Sequence, residues 1–311
     1  MACEGDGMKR GWMRRWCYAG IIGVVGALAA RSCVRRDRAA QVETCDPARA
    51  ATWASPDTRP KAHGKSLGCL KSPGAIVRFR RGKAIFDGRE RTWLEAGATA
   101  FAADEAAPLI FVFHGSGSSG ERIRTRLDLE RVVAGRAMIV YPDGLASEAF
   151  GHKTGWHLGS NDIDIRFINQ LLDDIAKNQC IDLGRVYATG HSFGGWMTNR
   201  FGYASGSRLR GIAPLAGGLS PKDCQATPLA TLVIHARNDP TVPFAEGEAA
   251  HAMWRRAANC GAEAKKFGTG PCAIDQGCGI ETPIGICEHE EWHSIPDFAA
   301  QAIWSFFDGL K

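Results

Sequence analysis

Residues 185–201 constrain the fold more than any other stretch of this chain. The apolar run Arg185-Val-Tyr-Ala-Thr189 meets Gly190-His191-Ser192-Phe193-Gly194, and Gly195-Trp-Met-Thr-Asn-Arg-Phe201 then continues as a helix. A serine set between two glycines at a strand-to-helix reversal is held in a strained turn that pushes its Oγ out of the fold. The glycines remove side chains that would block approach to it. With 37 glycines in the chain the pentapeptide alone says little. The strand before it and the helix after it are the context that gives it meaning.

The chain has 311 residues, enough for one large α/β domain. Its formal charge of +5 is concentrated at the N-terminus. The first 38 residues hold eight Lys/Arg and three Asp/Glu, which leaves 30 of each sign in the remainder. A neutral body lacks the basic footprint of a nucleic-acid partner. Lys9, Arg10, Arg14 and Arg15 precede an apolar stretch over residues 16–30, and Ala27-Leu28-Ala29 gives a small-x-small cleavage pattern. Residues 1–30 therefore read as an export signal, which implies a secreted or periplasmic protein. Retention as a signal-anchor tethering the chain to a membrane, or lipidation at Cys33, are the alternatives. Beyond that segment lie Cys33, Cys45, Cys69, Cys180, Cys224, Cys260, Cys272, Cys278 and Cys287. Nine cysteines in an exported chain predict up to four disulfides, with Cys33 the odd one. Cys45 and Cys69 are expected to pin the arm, and the cluster from Cys260 to Cys287 to staple its own region. Zinc is the rival account of Cys272 and Cys278, whose spacing is wrong for a knuckle.

Residues 31–72 show no sustained period and read as a low-complexity arm; residues 73–311 read as the catalytic domain. Ala75-Ile-Val-Arg-Phe79 and Arg91-Thr-Trp-Leu-Glu95 predict antiparallel strands around Asp87-Gly88. Leu109-Ile-Phe-Val-Phe113 and Ala137-Met-Ile-Val-Tyr141 are continuous apolar runs, the pattern of parallel strands covered on both faces. Further strands are expected at 185–189, 211–215 and 231–235, and helices at 164–178, 246–258 and 297–308. This alternation predicts an α/β fold, a mostly parallel sheet with helices on both faces.

A hydroxyl nucleophile needs a base, and the base needs an acid to orient it. Where such an elbow occurs, the acid follows a later strand and the histidine comes last. Asp239 follows Thr231-Leu-Val-Ile-His235 and is the candidate acid, with Asp223 and Asp275 as alternatives and an Asx turn before Pro240 as the bland account. His293 is the candidate base. His289, among glutamates, reads as a solvated or salt-bridged residue, His235 as a strand-end residue and His191 as packing within the elbow. An oxyanion needs backbone donors. Phe193 supplies one, and Ser116, with Gly117 as alternative, supplies the other from Phe113-His-Gly-Ser-Gly-Ser-Ser-Gly120. Trp156 and Trp292 are candidates for an apolar wall that receives an acyl group.

Several of these pieces coincide with a known family. His114-Gly115, Tyr141-Pro-Asp-Gly144, Gly155-Trp156, Asp164, Cys180-Ile-Asp-Leu-Gly-Arg-Val-Tyr-Ala-Thr-Gly-His-Ser192, Pro214-Leu-Ala-Gly-Gly218, Asn259-Cys260, Asp239 with Val242-Pro243, and His293 with Pro296 match in position and order. Over residues 75–308 the chain resembles the secreted α/β-hydrolase esterases related to poly(3-hydroxybutyrate) depolymerase and feruloyl esterase. The resemblance implies a serine carboxylesterase with Ser192, Asp239 and His293 as its triad, an ester substrate that is small or polymeric, and no cofactor. The chain departs from the family's Gly-Gly-His-x-Trp-Pro pattern: Trp292 precedes the histidine, and the glycines are replaced. A prolyl-oligopeptidase-type serine peptidase and an inactive surface binding module are the alternatives.

Overall fold

The apolar runs pair with one another at the centre of a ten-stranded sheet. The chain is described by a computed structural model over residues 64–71, 79–102, 105–158, 162–220, 223 and 226–310. The N-terminal export segment, most of the arm, and Cys33, Cys45 and Cys224 lie outside the described residues. Strands β1 (Phe79–Phe86) and β2 (Arg89–Ala96) form an antiparallel hairpin. Asp87 and Gly88 turn it with φ of 50° and 72°, the left-handed conformations a two-residue hairpin requires. The turn lies where the sequence puts it. The first strand runs over 79–86 rather than 75–79, and residues 75–78 are outside the described set.

The parallel core comprises β3 (Ala107–Phe113), β4 (Met138–Pro142), β7 (Ile181–His191), β8 (Gly211–Leu215), β9 (Ala230–Ala236) and β12 (Ile284–His289). Their spatial order is β4-β3-β7-β8-β9-β12, every neighbouring pair parallel. The β1–β2 hairpin extends the β4 edge, and β10 (Ala264–Phe267) with β11 (Cys272–Asp275) extends the β12 edge, both antiparallel. A short two-stranded ribbon, β5 (Leu145–Ala146) and β6 (Thr154–Gly155), stands apart from the main sheet.

Two-sided burial explains why the central strands are apolar throughout. Alternate residues of β3 enter different layers. Leu109, Phe111 and Phe113 face α3 (Ile163–Asn178), α4 (Phe193–Ser205) and α5 (Phe244–Ala257), among Ile168, Leu172, Met197, Phe201 and Trp254. Ile110 and Val112 belong to the opposite layer, with Ile123 of α1 (Gly120–Leu127), Val133 of α2 (Leu129–Val133) and Ile303 and Phe307 of α6 (Ala299–Asp308). Each fully buried side chain of this kind stabilises the fold by about 1.5–3 kcal/mol. The expected helical stripe on α3 is present: Ile165, Ile168, Leu171, Leu172 and Ile175 are all buried.

The strands at 264–289 and the start of regular structure depart from the sequence expectation. The segment at 264–289 holds three strands that short, cysteine-interrupted runs do not announce. The four cysteines from Cys260 to Cys287 pair among themselves as expected, Cys260 with Cys278 and Cys272 with Cys287, and the second bond joins register partners of β11 and β12. Cys69 pins the arm by pairing with Cys180, a connectivity the sequence leaves open. Around that bond Lys65 bridges Asp182 and Ser66 Oγ donates to Gln179 O at 2.8 Å, so ordered structure begins before residue 72. A bond closing a separation of 111 residues restricts the unfolded chain strongly. Replacing both Cys69 and Cys180 by Ala lowers the unfolding free energy by about 2–5 kcal/mol, read from urea titration under non-reducing conditions.

Candidate active site

All the candidate residues emerge at the carboxyl edge of the parallel strands. His114 follows β3, Ser192 follows β7, Asp239 follows β9 and His293 follows β12. In an open parallel sheet this edge is where loops from neighbouring strands converge. The strand order puts β7 beside β3 and β9 beside β12, so residues more than 100 positions apart along the chain meet.

Ser192 has φ 59° and ψ −121°, a conformation that is strained for a residue with a Cβ. Its N–H donates to Leu215 O at 2.9 Å, and its carbonyl accepts from Gly195 and Trp196 at 2.7 and 3.2 Å. The glycines of the elbow are required by close approach. A Cβ on Gly194 would lie 2.1 Å from Phe113 O, and one on Gly190 would lie 2.6 Å from the same oxygen. Gly115 passes close to Ser192, where an added Cβ would sit 3.3 Å from the serine Cβ.

The side chains form a relay. His293 Nε2 is 2.9 Å from Ser192 Oγ, and His293 Nδ1 is 2.6 Å from Asp239 Oδ2. The second oxygen of Asp239 accepts the N–H groups of Thr241 and Val242 at 2.8 and 2.9 Å, the turn that sequence reading posed as a rival to a role beside a histidine. The two coexist, one on each oxygen. Burial opposes ionisation of Asp239, but the hydrogen bonds from Val242, His293 and Thr241 outweigh it and hold the carboxyl below its ordinary value. Asp223 and Asp275 are engaged elsewhere. Asp223 accepts from Arg200 at 2.7 Å, and Asp275 lies 2.8 Å from His251 Nε2.

Three further histidines lie around this relay. The His191 ring centre lies 4.9 Å from that of His293, and burial, reinforced by the His293 charge, holds His191 down to about 3. It packs within the elbow, as its place in the sequence suggests. His235 is fully buried at the end of β9; its Nε2 donates to Val242 O at 3.0 Å and stands 3.6 Å from Asp239 Oδ2. His289 is not solvated. It is buried at the end of β12, its Nδ1 accepts from Glu291 N at 3.2 Å, and its ring meets Phe298 edge-on. The reason is its inward register in β12, which glutamate neighbours in the sequence do not reveal.

On the other side of Ser192 runs the loop from 114 to 119. Gly117 N–H donates to Thr154 O at 2.8 Å and is therefore engaged. Among the described residues the N–H groups of Ser116 and Phe193 have no acceptor, the latter because it opens α4 outside the helical ladder. Trp156 is not a wall. It is fully buried, its Nε1 donates to His114 O at 2.8 Å, and its ring packs against Phe113 and His114. The aromatic group beside the elbow is instead Phe150, T-shaped against Phe193 at 5.2 Å and tilted against His157 at 5.0 Å. Nothing in the pattern around Phe150 marked it. Trp292 is 66% exposed beside His293, with φ 57° and its N–H bonded to Asn238 Oδ1.

With this geometry in view, known proteins resemble the chain in two ways. By sequence it is 31% identical over 193 residues to a protein named probable feruloyl esterase C from Aspergillus niger, covering 60% of this chain and 66% of that one. It is 28% identical over 266 residues to the Aspergillus terreus protein of the same name, covering 80% and 93%. The chain is similar in sequence to proteins named feruloyl esterase C, and its fold is of the α/β-hydrolase type. Solved structures agree on the fold. An acetyl xylan esterase from Aspergillus awamori superposes with TM-score 0.58 at 11% identity, over 74% of this chain and 99% of that one. A ferulic acid esterase from Anaeromyces mucronatus gives 0.52 at 12% identity, over 77% and 93%. No family model matches. The match spans just under two thirds of the Aspergillus niger protein and 51% of a 33%-identical feruloyl esterase C from Emericella nidulans.

The titration of Asp239 gives a pH dependence of stability. A carboxyl depressed in the folded state contributes stability above its unfolded value, near pH 4, and loses it as pH falls toward the folded value. Asp239→Asn removes that contribution. In urea titrations the gap between wild type and variant narrows as pH falls through and below about 4.

Proposed function

We propose that the chain is a serine carboxylesterase acting through an acyl-enzyme, with Ser192 as nucleophile, His293 as base and acid, and Asp239 as its orienting carboxylate. The observation that carries this reading is the unbroken relay from Ser192 Oγ through His293 to Asp239, at 2.9 and 2.6 Å. His293 Nε2 takes the serine proton as Oγ attacks the ester carbonyl, while Asp239 Oδ2 holds the Nδ1–H tautomer and stabilises the imidazolium. The N–H groups of Ser116 and Phe193 receive the oxyanion. His293 then gives its proton to the leaving alcohol, and water repeats the sequence on the acyl-enzyme.

The substrate class follows from the relatives' names and the aromatic surroundings. Trp292 on the histidine side, with Phe150, Phe193 and His157 on the oxyanion side, suits esters of aromatic or short acyl acids on a polysaccharide. Hydroxyalkanoate polyester is the alternative within the same chemistry. The three disulfides among the described residues accord with export to an oxidising compartment, as does the reading of residues 1–30 as an export signal. Among the described residues no helix is long and apolar enough to cross a membrane.

Ser192→Ala lowers kcat on a p-nitrophenyl ester by about 10⁴–10⁶ without unfolding the protein, and near wild-type turnover in that variant refutes the mechanism. A panel of feruloyl, acetyl and 3-hydroxybutyryl esters, with a prolyl anilide as the peptidase arm, ranks the substrates. On the preferred aromatic ester Trp292→Ala raises KM several-fold and leaves kcat on an acetyl ester unchanged, read from steady-state kinetics.

A further inference from the structure

We infer that His114 is a positioning residue which aims the Ser116 N–H, by clamping the peptide plane between Gly115 and Ser116. In a trans peptide the carbonyl and the following N–H point in opposite directions within one plane. Whatever fixes the Gly115 carbonyl therefore fixes the Ser116 N–H. His114 Nδ1 lies 2.7 Å from Gly115 O, and Ser118 N–H donates to the same oxygen at 3.2 Å. The carbonyl one residue earlier, His114 O, is held by Trp156 Nε1 at 2.8 Å. The Ser116 N–H therefore points away from the groups that hold the Gly115 carbonyl. The backbone just before it runs close to the serine: a Cβ added to Gly115 would sit 3.3 Å from Ser192 Cβ and 3.8 Å from its Oγ.

The partners of the imidazole dictate its tautomer. Gly115 O can only accept, so Nδ1 carries the proton. Gly144 N–H can only donate, and it lies 2.9 Å from His114 Nε2, so Nε2 is bare. Both ring nitrogens are used, the ring is completely buried, and Trp156 packs 4.8 Å from its centre. Burial, set against weaker pulls from Gly115 O, Asp143 and Asp164, holds His114 below its usual value and so keeps it neutral. A proton on Nε2 would face the Gly144 N–H and break the clamp. The Gly144 contact also ties the oxyanion loop to the segment after β4, which Asp143 fixes in turn through Thr92 Oγ1 and Gly120 N at 2.7 Å each.

The inference rests on the reading of Ser116 as an oxyanion donor. An N–H that is aimed only part of the time stabilises the transition state less, without changing how the neutral ester binds. His114→Phe keeps the ring volume and loses both hydrogen bonds. It lowers kcat about tenfold to a hundredfold, short of the hundredfold to thousandfold cost of deleting an oxyanion donor. KM stays within about twofold. His114→Asn returns a donor near the Nδ1 position and recovers most of the lost kcat. Wild-type kcat in His114→Phe overturns the proposal, as does a rise in KM alone. So does an equal loss in both variants when their melting temperatures match wild type. Should His114→Phe not fold, nitrogen-15 NMR of the wild-type histidines decides: an Nδ1-protonated, Nε2-bare His114 supports the clamp, and any other protonation overturns it. Wild-type protein that a phosphonate probe fails to label at Ser192 refutes the esterase reading itself, and the proposal with it.

Discussion

The close approach of two backbones, Phe113 at the end of β3 and Gly190-to-Gly194 at the end of β7, is the constraint from which the site follows. The Phe113 carbonyl occupies the space that a Cβ on Gly190 or Gly194 would need. Because neither glycine carries a Cβ, the serine elbow and the loop after β3 lie side by side. The Ser192 hydroxyl and the Gly115 backbone are thereby brought close together. The strain in Ser192 is sustained by the strands that converge on it, through the N–H bond to Leu215 and the helix packed behind.

A second layer of buried polar groups holds that arrangement still. Under Asp239 sits His235, and under the oxyanion loop sit His114 and Trp156. Further out, the buried pair of Arg91 and Asp164, 2.5 Å apart, also takes the His157 N–H at 2.6 Å and joins β2, the segment after β6 and the start of α3. Such groups are costly to bury unless each finds its partner, and in exchange they fix loop geometry more sharply than apolar packing does. These residues touch no reacting atom in the proposed mechanism. They decide where the atoms that do are placed.

The readable parts of the chain were those with a strong local signature. The elbow, the apolar strands, the Asp87-Gly88 turn and the stripe on α3 each impose their own backbone geometry, and each recurs in the structure. Asp239 and His293 were legible because chain order and the strand before the acid limit the choice. Less legible were residues whose role depends on what lies across a strand interface. Trp156 has the sequence environment of a loop residue yet is fully buried, because it folds over the β3 end. His289 sits among glutamates but turns inward with the register of β12. Phe150 gains its place only from contact with Phe193.

By itself the sequence determined the α/β layering, the strained serine, and the chain order of its partners, since periodicity, glycine placement and turn chemistry act over a few residues. Tertiary structure alone decided that Cys69 bonds Cys180, that Gly117 is engaged while Ser116 is open, and that His114 and His235 serve as props. The physical reason is that these outcomes depend on strand order. Only after β7 has settled between β3 and β8 do distant polar groups come within hydrogen-bonding range of one another.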